Sequence, residues 1–137
     1  ETIDQDGWLH TGDLGAMDKR GYLRISGRVK EMIIRGGENL FPAEIENVLL
    51  EHKSVSEIAV VGIPDPRWGE IVACFIKPEA GFSIDPADLK SHARTFLSPQ
   101  KPPALWFQVE EFPLTGSGKI RKGSLRDEYL DGQHQAL

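Results

Sequence analysis

A chain of 137 residues is long enough to form one domain with its own hydrophobic core. The hydrophobic content of 39% and the charged content of 27% are ordinary for a soluble globular protein. The net charge of −5 argues against a general nucleic-acid binder and against a protein that binds anionic membranes. No apolar run is long enough for a membrane span, and the polar N-terminus lacks a signal-peptide pattern and an initial Met. We therefore expect a cytoplasmic protein and a chain that is part of a longer one.

The first predicted element is a β-hairpin. Short apolar stretches within residues 7–28 flank the turn residues 18–21, a pattern typical of two antiparallel strands. Two strands alone are only marginally stable, so this hairpin needs another surface to pack on. Residues 27–31 follow as a short charged segment, which predicts either a linker or hinge or a plain polar connector.

Of two polar residues in this hairpin region, Asp13 is a candidate ligand contact and His10 is not. Asp13 stands in a Gly-Asp step, where a carboxylate can accept two hydrogen bonds from a diol such as the two ribose hydroxyls. On local sequence alone an ordinary turn aspartate is favoured. His10 has no acidic or cysteine partner at a useful spacing, so we interpret it as structural or exposed and not as a metal ligand.

Helices and strands are mixed along the rest of the chain. Pro42 at a first helical position and the periodic Ile45, Val48 and Leu49 predict a helix that ends near His52. Residues 55–63 and 71–77 predict two buried strands, and their short connection makes them an antiparallel pair. The remaining elements are a helix over 83–97 with Asp85 as its cap, a strand over 105–109, a helix over 122–130 and a frayed tail. The predicted fold is α+β: a small sheet of about three strands packed with helices and preceded by the N-terminal hairpin.

The single cysteine, Cys74, excludes an internal disulfide. It lies in the apolar run 71–76, which predicts a buried core thiol and not a catalytic nucleophile.

Two glycine loops are candidate ligand sites. In residues 35–39, Arg-Gly-Gly-Glu-Asn, the double glycine lets backbone N–H groups approach a ligand, or it makes a tight strand-to-helix turn. In residues 113–119, Lys119 stands behind two glycines and two hydroxyls, where a flexible ammonium suits contact with a phosphate or carboxylate. This is not a Walker loop, because Pro113 replaces a required Gly and Ile120 a required Ser or Thr. An exposed turn with a solvated lysine has about equal weight.

Three stretches in chain order carry a resemblance to a known family: GWLHTGD at 7–13, GRVKEMIIRGGENLFPAEIE at 27–46, and PLTGSGKI at 113–120. They resemble the C-terminal part of adenylate-forming enzymes, the superfamily of acyl-CoA synthetases, luciferases and peptide-synthetase adenylation domains. The resemblance covers essentially the whole chain. The Gly-Gly-Glu-Asn form and the Ser-Pro-Gln-Lys stretch at 98–101 resemble acyl-CoA synthetases that act on fatty or related carboxylic acids.

The resemblance implies a two-step reaction. A carboxylate attacks the α-phosphate of Mg-ATP to give acyl-AMP and pyrophosphate, and the CoA thiol then gives the thioester and AMP. In such enzymes a small C-terminal domain swings about a hinge between the two steps.

The same resemblance assigns roles by motif position. Asp13 is expected to bind the ribose hydroxyls, Arg28 to contact the ribose or phosphate, and Lys30 to be the hinge residue. Lys119 is expected to bridge the substrate carboxylate and phosphate during adenylation. The residues expected to face the active site in the thioester-forming state are Gly36, Gly37, Glu38 and Asn39. Many relatives carry Asp at the hinge position or just after it, and the Lys30-Glu31 pair departs from that pattern.

The resemblance also implies a division of the chain. Residues 1–29 are expected to be the final strands of a large N-terminal domain, and residues 30–137 the mobile lid. ATP, CoA and Mg²⁺ would bind only with that large domain, so the isolated chain is expected to be inactive. The acyl pocket would also lie there, so the acyl substrate is not readable. The alternatives are a non-catalytic standalone or truncated module, and an enzyme that loads a carrier-protein phosphopantetheine.

Overall fold

The computed structural model describes residues 2–3, 5–10, 13–17, 19–21, 23–28, 31–134 and 136–137. In chain order the strands in these ranges are β1 (Thr2–Ile3), β2 (Leu9–His10), β3 (Asp13–Met17), β4 (Leu23–Arg28), β5 (Ile33–Arg35), β6 (Glu38–Leu40), β7 (Val55–Asp65), β8 (Gly69–Pro78) and β9 (Leu105–Gln108). The helices are α1 (Pro42–Leu50), α2 (Pro86–Phe96) and α3 (Lys122–Leu130).

The N-terminal part forms two small antiparallel sheets. Strand β1 pairs with β2, and β3 pairs with β4 in a register that shifts between Leu14 and Gly15. The β3–β4 pair confirms the hairpin that the turn residues 18–21 predict, because that turn lies between the two strands.

A five-stranded sheet forms the centre of the remaining chain, in the order β6-β5-β8-β7, with β9 parallel to β8. Strands β7 and β8 pair from Val55 opposite Pro78 to Asp65 opposite Gly69, which confirms the predicted antiparallel pair. With three helices beside the sheet, the α+β prediction is confirmed. The sheet has five strands and not about three, because the residues on both sides of Gly36-Gly37 form strands β5 and β6.

Both faces of the β7–β8 pair are buried. On one face, Val60 and Cys74 pack in a cluster with Ile45 and Leu49 of α1 and with residues of α2. On the other face, Val61, Ala73 and Phe75 pack in a second cluster that contains Leu125 of α3. A strand that is covered on both sides is apolar at almost every position, which explains the unbroken apolar runs in the sequence.

The predicted start signals of α1 and α2 are confirmed, although α2 begins at Pro86 and not at residue 83. Pro42 occupies the first turn of α1, and Asp85 caps α2 by accepting a hydrogen bond from the Ala87 N–H at 3.1 Å. The predicted frayed tail is wrong for two residues. The Leu137 N–H donates to the Trp106 carbonyl at 2.8 Å, and the His134 ring packs edge-on against Phe75. Among the described helices, none is long and apolar enough to cross a membrane.

Cys74 is fully buried, as its apolar run predicts. Burial, and secondarily the negative charge of Glu46, raises the pKa of the Cys74 thiol well above its usual value. The native thiol therefore stays protonated at mildly alkaline pH. The unfolded thiol ionises near pH ~8.5, so Cys74 makes the free energy of unfolding fall as the pH rises above that value.

We predict that Cys74 resists thiol reagents in the native protein, because the thiolate is the reactive form and the side chain is enclosed. At mildly alkaline pH, iodoacetamide labelling should be roughly a hundredfold or more slower in the native chain than in the urea-unfolded chain. Mass spectrometry of quenched time points measures both rates. Similar rates in the two states would contradict the prediction.

Candidate functional site

The loop that carries Lys119 is a closed turn. Leu114 and Ile120 form an antiparallel bridge at its base, and the Arg121 N–H donates to the Pro113 carbonyl at 2.7 Å. Within the loop, the Thr115 N–H donates to the Lys119 carbonyl at 2.7 Å. These backbone hydrogen bonds hold the loop in one shape without help from a ligand.

The hydroxyls and the second glycine of this loop maintain its shape. Thr115 Oγ1 accepts a hydrogen bond from the Lys119 N–H at 3.2 Å and is hydrogen-bonded to Ser117 Oγ at 3.0 Å. Gly118 has φ +84°, a left-handed conformation that favours glycine. Lys119 itself is exposed. The loop is thus an exposed turn, and its lysine is accessible to a ligand.

The Gly36-Gly37 loop is a two-residue β-hairpin turn. Gly36 has φ +57° and Gly37 has φ +84°, and positive φ at both central positions is what a type I′ turn requires. The turn joins β5 to β6, with Arg35 opposite Glu38 and Ile34 opposite Asn39. The strand-to-helix turn considered from sequence is therefore wrong. Its predicted site residues Gly36, Gly37, Glu38 and Asn39 are exposed.

Trp68 packs beneath this hairpin. The Gly36 N–H donates to the Trp68 carbonyl at 2.8 Å. A Cβ at Gly36 would lie only 2.8 Å from Trp68 Cε3, so glycine is required here by contact as well as by φ. The Asp65 carboxylate fixes the Trp68 segment by accepting hydrogen bonds from the N–H groups of Arg67 and Trp68, both at 2.9 Å.

Two guanidinium groups lie near the Trp68 ring. The Cζ atom of Arg35 is 4.2 Å from the ring centroid, and that of Arg67 is 5.0 Å away. The sequence did not predict this cluster, because residues 64–70 show only the composition of a short connection between two strands. The available signal was an Asp that can fix the turn, followed by an Arg-Trp pair. Together the three side chains suit a ligand that combines a flat aromatic ring with negative charge.

The remaining predicted site residues are Asp13, Arg28 and Lys30. Asp13 and Arg28 are Cα partners in the β3–β4 hairpin, so the two predicted nucleotide contacts occupy opposed positions. Only the backbone is described at these two positions, and Lys30 lies outside the described residues. Within the described part of the chain, no hydrogen bond or ion pair joins the Lys119 loop to the Gly36-Gly37 hairpin. The same part of the chain contains no cluster of three His, Cys, Asp or Glu side chains that could hold a metal ion.

The sequence matches the AMP-binding enzyme C-terminal domain model over residues 44–119, more than half of the chain. The chain belongs to this family. The match ends at Lys119, so the family region includes the Lys119 loop up to its candidate lysine.

Two relatives and one solved structure illustrate what the chain is similar to. The chain is 44% identical to feruloyl-CoA synthase from an Amycolatopsis species, over 91% of this chain and 26% of the relative. It is 47% identical to the fatty acid–[acyl-carrier-protein] ligase ScoC from Streptomyces coeruleorubidus, over 90% of this chain and 24% of the relative. Among solved structures, o-succinylbenzoate CoA synthetase from Bacillus subtilis, in complex with its acyl-adenylate intermediate, superposes with a TM-score of 0.86. That structure is 36% identical, and the superposition covers 91% of this chain and 25% of that one. The chain thus spans about a quarter of the length of the relatives it matches.

We predict that Gly36→Ala destabilises the chain more than Gly37→Ala. Both substitutions force an L-residue into a left-handed conformation, which costs roughly 1–2 kcal/mol. Only Gly36→Ala also drives a Cβ into the Trp68 ring, because the space around Gly37 is open. Urea unfolding of the two variants and the unchanged chain measures the difference. Equal destabilisation would mean that Trp68 yields without cost.

Proposed function

We propose that the chain is the C-terminal portion of an ATP-dependent acyl-CoA synthetase, an acid–thiol ligase. The full enzyme would convert a fatty or related carboxylic acid, ATP and CoA into acyl-CoA, AMP and pyrophosphate. Residues 1–29 would complete a large N-terminal domain, and residues 30–137 would form its mobile lid. The observation that carries the proposal is the exposed Lys119, held on a self-ordered loop in a chain of the AMP-binding enzyme family.

The first step brings two anions together. A carboxylate oxygen of the acid forms a bond to the α-phosphorus of ATP, and the bond from that phosphorus to the bridging oxygen breaks as pyrophosphate leaves. Lys119 would place its ammonium between the carboxylate and the phosphate and so stabilise the charge that develops. It need not act as a base, because the attacking carboxylate is already ionised at neutral pH. Mg²⁺ would be held with ATP by the large domain, where it would neutralise phosphate charge.

The second step needs a different surface. The thiol sulfur of CoA attacks the acyl carbonyl, the carbon–oxygen bond to AMP breaks, and the thiol proton is lost to the surroundings. The Gly36-Gly37 hairpin would line the approach of the thiol. Beside it, Arg35, Arg67 and Trp68 would contact the phosphorylated nucleotide end of CoA through charge and ring stacking.

The two loops belong to different elements of the lid, since one joins β5 to β6 and the other leads into α3. A lid that rotates about Lys30 would therefore bring Lys119 to the active site for adenylation and the hairpin for thioester formation. Asp13 and Arg28, on the large-domain side of the hinge, would hold the ribose and phosphate in both states.

The acceptor in the second step has one alternative. ScoC, a relative at 47% identity, is named for ligating fatty acids to an acyl-carrier protein. A carrier-protein phosphopantetheine presents the same thiol arm as CoA but lacks the 3′-phosphorylated nucleotide. Comparison of CoA with a carrier protein that bears a free phosphopantetheine thiol as acceptor distinguishes the two enzymes.

We predict that Lys119→Ala in the full-length enzyme slows formation of acyl-AMP by roughly 10²–10³-fold, because one electrostatic contact to the transition state is lost. Thioester formation from supplied acyl-AMP and CoA should stay close to the unchanged rate. Pyrophosphate release measures the first step, and chromatography of acyl-CoA measures the second.

Lys90→Ala is the matched control for this experiment, since Lys90 is an exposed lysine of α2. It should leave both rates unchanged. Equal loss of both half-reactions in Lys119→Ala would contradict the role proposed for Lys119.

We predict that the double variant Arg35→Ala/Arg67→Ala impairs the second step, thioester formation, and spares the first step, adenylation. The KM for CoA should rise on the order of tenfold, because hydrogen bonds to charged groups contribute roughly 1.5–3 kcal/mol each and these sites are partly exposed to solvent. Adenylation, measured by pyrophosphate release without CoA, should be unaffected. An unchanged KM for CoA would exclude this pair from the acceptor site.

A further inference from the structure

The basic run that begins at Lys119 contains a second lysine in a very different environment. Lys122 is the first residue of α3, and its side chain is only 18% exposed. Its Nζ atom lies 3.0 Å from Glu46 Oε2 of α1 and 3.2 Å from Glu31 Oε2. One ammonium thus joins two carboxylates from separate parts of the chain.

The two carboxylates differ in how firmly they are held. Glu46 is 17% exposed, and its Oε2 atom also accepts a hydrogen bond from the Val60 N–H of β7 at 3.0 Å. Glu46 is therefore held against the sheet, and its ion pair with Lys122 adds to the stability of the fold. Glu31 is 40% exposed, and the described structure gives its carboxylate this one contact, to Lys122. The segment that precedes β5 is thus attached to α3 through Lys122.

The same helix is connected to strand β5 by a second link, which passes through Glu70 of β8. One turn after Lys122, Arg126 Nη1 lies 3.8 Å from Glu70 Oε2. Glu70 Oε1 accepts a hydrogen bond from the Ile34 N–H of β5 at 3.0 Å. A cleft of about 300 Å³ is lined by residues of both links, among them Glu31, Glu70, Lys122 and Arg126.

We propose that Lys122 is a positioning residue for the hinge motion. Glu31 directly follows Lys30, so it is the first residue on the lid side of the proposed hinge, and this inference rests on the proposed function for that hinge. By holding Glu31 against α3, Lys122 confines the rotation to Lys30 and fixes the orientation of the whole lid relative to the hinge. Lys122 touches neither substrate nor nucleotide in this role.

Lys122 has two ion-pair contacts, one with Glu31 (the Glu31 arm) and one with Glu46 (the Glu46 arm), and loss of each should have a different effect. Loss of the Glu31 arm loosens the lid side of the hinge. Both half-reactions then become slower, because the Lys119 loop and the Gly36-Gly37 hairpin are positioned less accurately at the active site. Loss of the Glu46 arm weakens the lid fold without freeing the hinge segment, because Lys122 keeps its contact with Glu31. A merely structural lysine would lower the unfolding temperature through both arms and leave the turnover of the folded enzyme unchanged.

The test uses the full-length enzyme with Glu31→Gln, Lys122→Met and the double variant. We expect kcat to fall roughly 10- to 100-fold for both half-reactions, with the KM for ATP unchanged, because misplacement of catalytic groups by about 1 Å has costs of this size. The double variant should be no slower than Lys122→Met alone. Lys122→Arg should retain most of the rate, and Glu46→Gln should lower the unfolding temperature but leave kcat within about twofold.

Rates within about twofold of the unchanged enzyme for Glu31→Gln and Lys122→Met, or multiplied losses in the double variant, would overturn the proposal. Amide hydrogen exchange over residues 31–34 of the same full-length proteins provides a readout that needs no activity. Exchange there should be about tenfold faster in Glu31→Gln and Lys122→Met than in the unchanged protein. If the enzyme forms no acyl-AMP at all, the proposed function fails, whereas unchanged exchange in an active enzyme rejects only the role of Lys122.

Discussion

Strands β7 and β8 pair along nearly their whole lengths, and both faces of that pair are buried. This constraint determines where the other elements of the sheet region lie. Helices α1 and α2 cover one face and α3 covers the other, while β5 and β9 pair with β8 along its free edge. A sheet buried on both sides has no solvated face on which to place a polar site. The candidate ligand contacts of this region accordingly lie in the Lys119 loop, in the β7–β8 turn and on the short β5–β6 hairpin at the edge of the sheet.

The loops are ordered by local chemistry and positioned by this sheet. The Gly36-Gly37 turn lies next to the β7–β8 turn because Arg35 pairs with Gly69 and the Gly36 N–H reaches the Trp68 carbonyl. The Lys119 loop takes its shape from its own backbone and from Thr115. Loops held by such hydrogen bonds on one sheet fit the proposed lid, since rotation of the whole body would change which loop faces the substrate without refolding either one.

The sequence predicts those features that depend on residues close together in the chain. Apolar runs identify β7 and β8, Pro42 and Asp85 mark two helix starts, and the cluster of glycines and hydroxyls identifies the Lys119 loop. The β5–β6 hairpin was missed because each strand has only three residues, too few for an alternating pattern to emerge.

Contacts between distant parts of the chain could not be predicted in the same way. The docking of Leu137 on Trp106, and of Arg35 beside Trp68, depends on which surfaces the sheet brings together. The sequence indicated Thr115 and Ser117 as neighbours of a ligand-binding lysine, yet in the structure their hydroxyls serve the loop itself. Residue type therefore indicated a candidate site, and the fold decided which of its side chains remain accessible to a ligand.

The basic run from Lys119 to Arg126 shows how packing divides one set of charges into two roles. Lys122 is paired with Glu46 and Glu31, and Arg126 lies near Glu70, so the cations on α3 are balanced by carboxylates of the same region. Lys119 precedes the helix, is exposed, and has no carboxylate partner within the described residues. An ammonium that has no ion pair does not have to break one before it binds a phosphate. Because the side chain is already exposed, binding removes only its hydrating water. The neutralised helix also adds little positive field of its own. In the proposed lid rotation, the attraction between this run and a bound nucleotide would therefore come from the loop that carries Lys119, and it would be lost once the rotation turns that loop away.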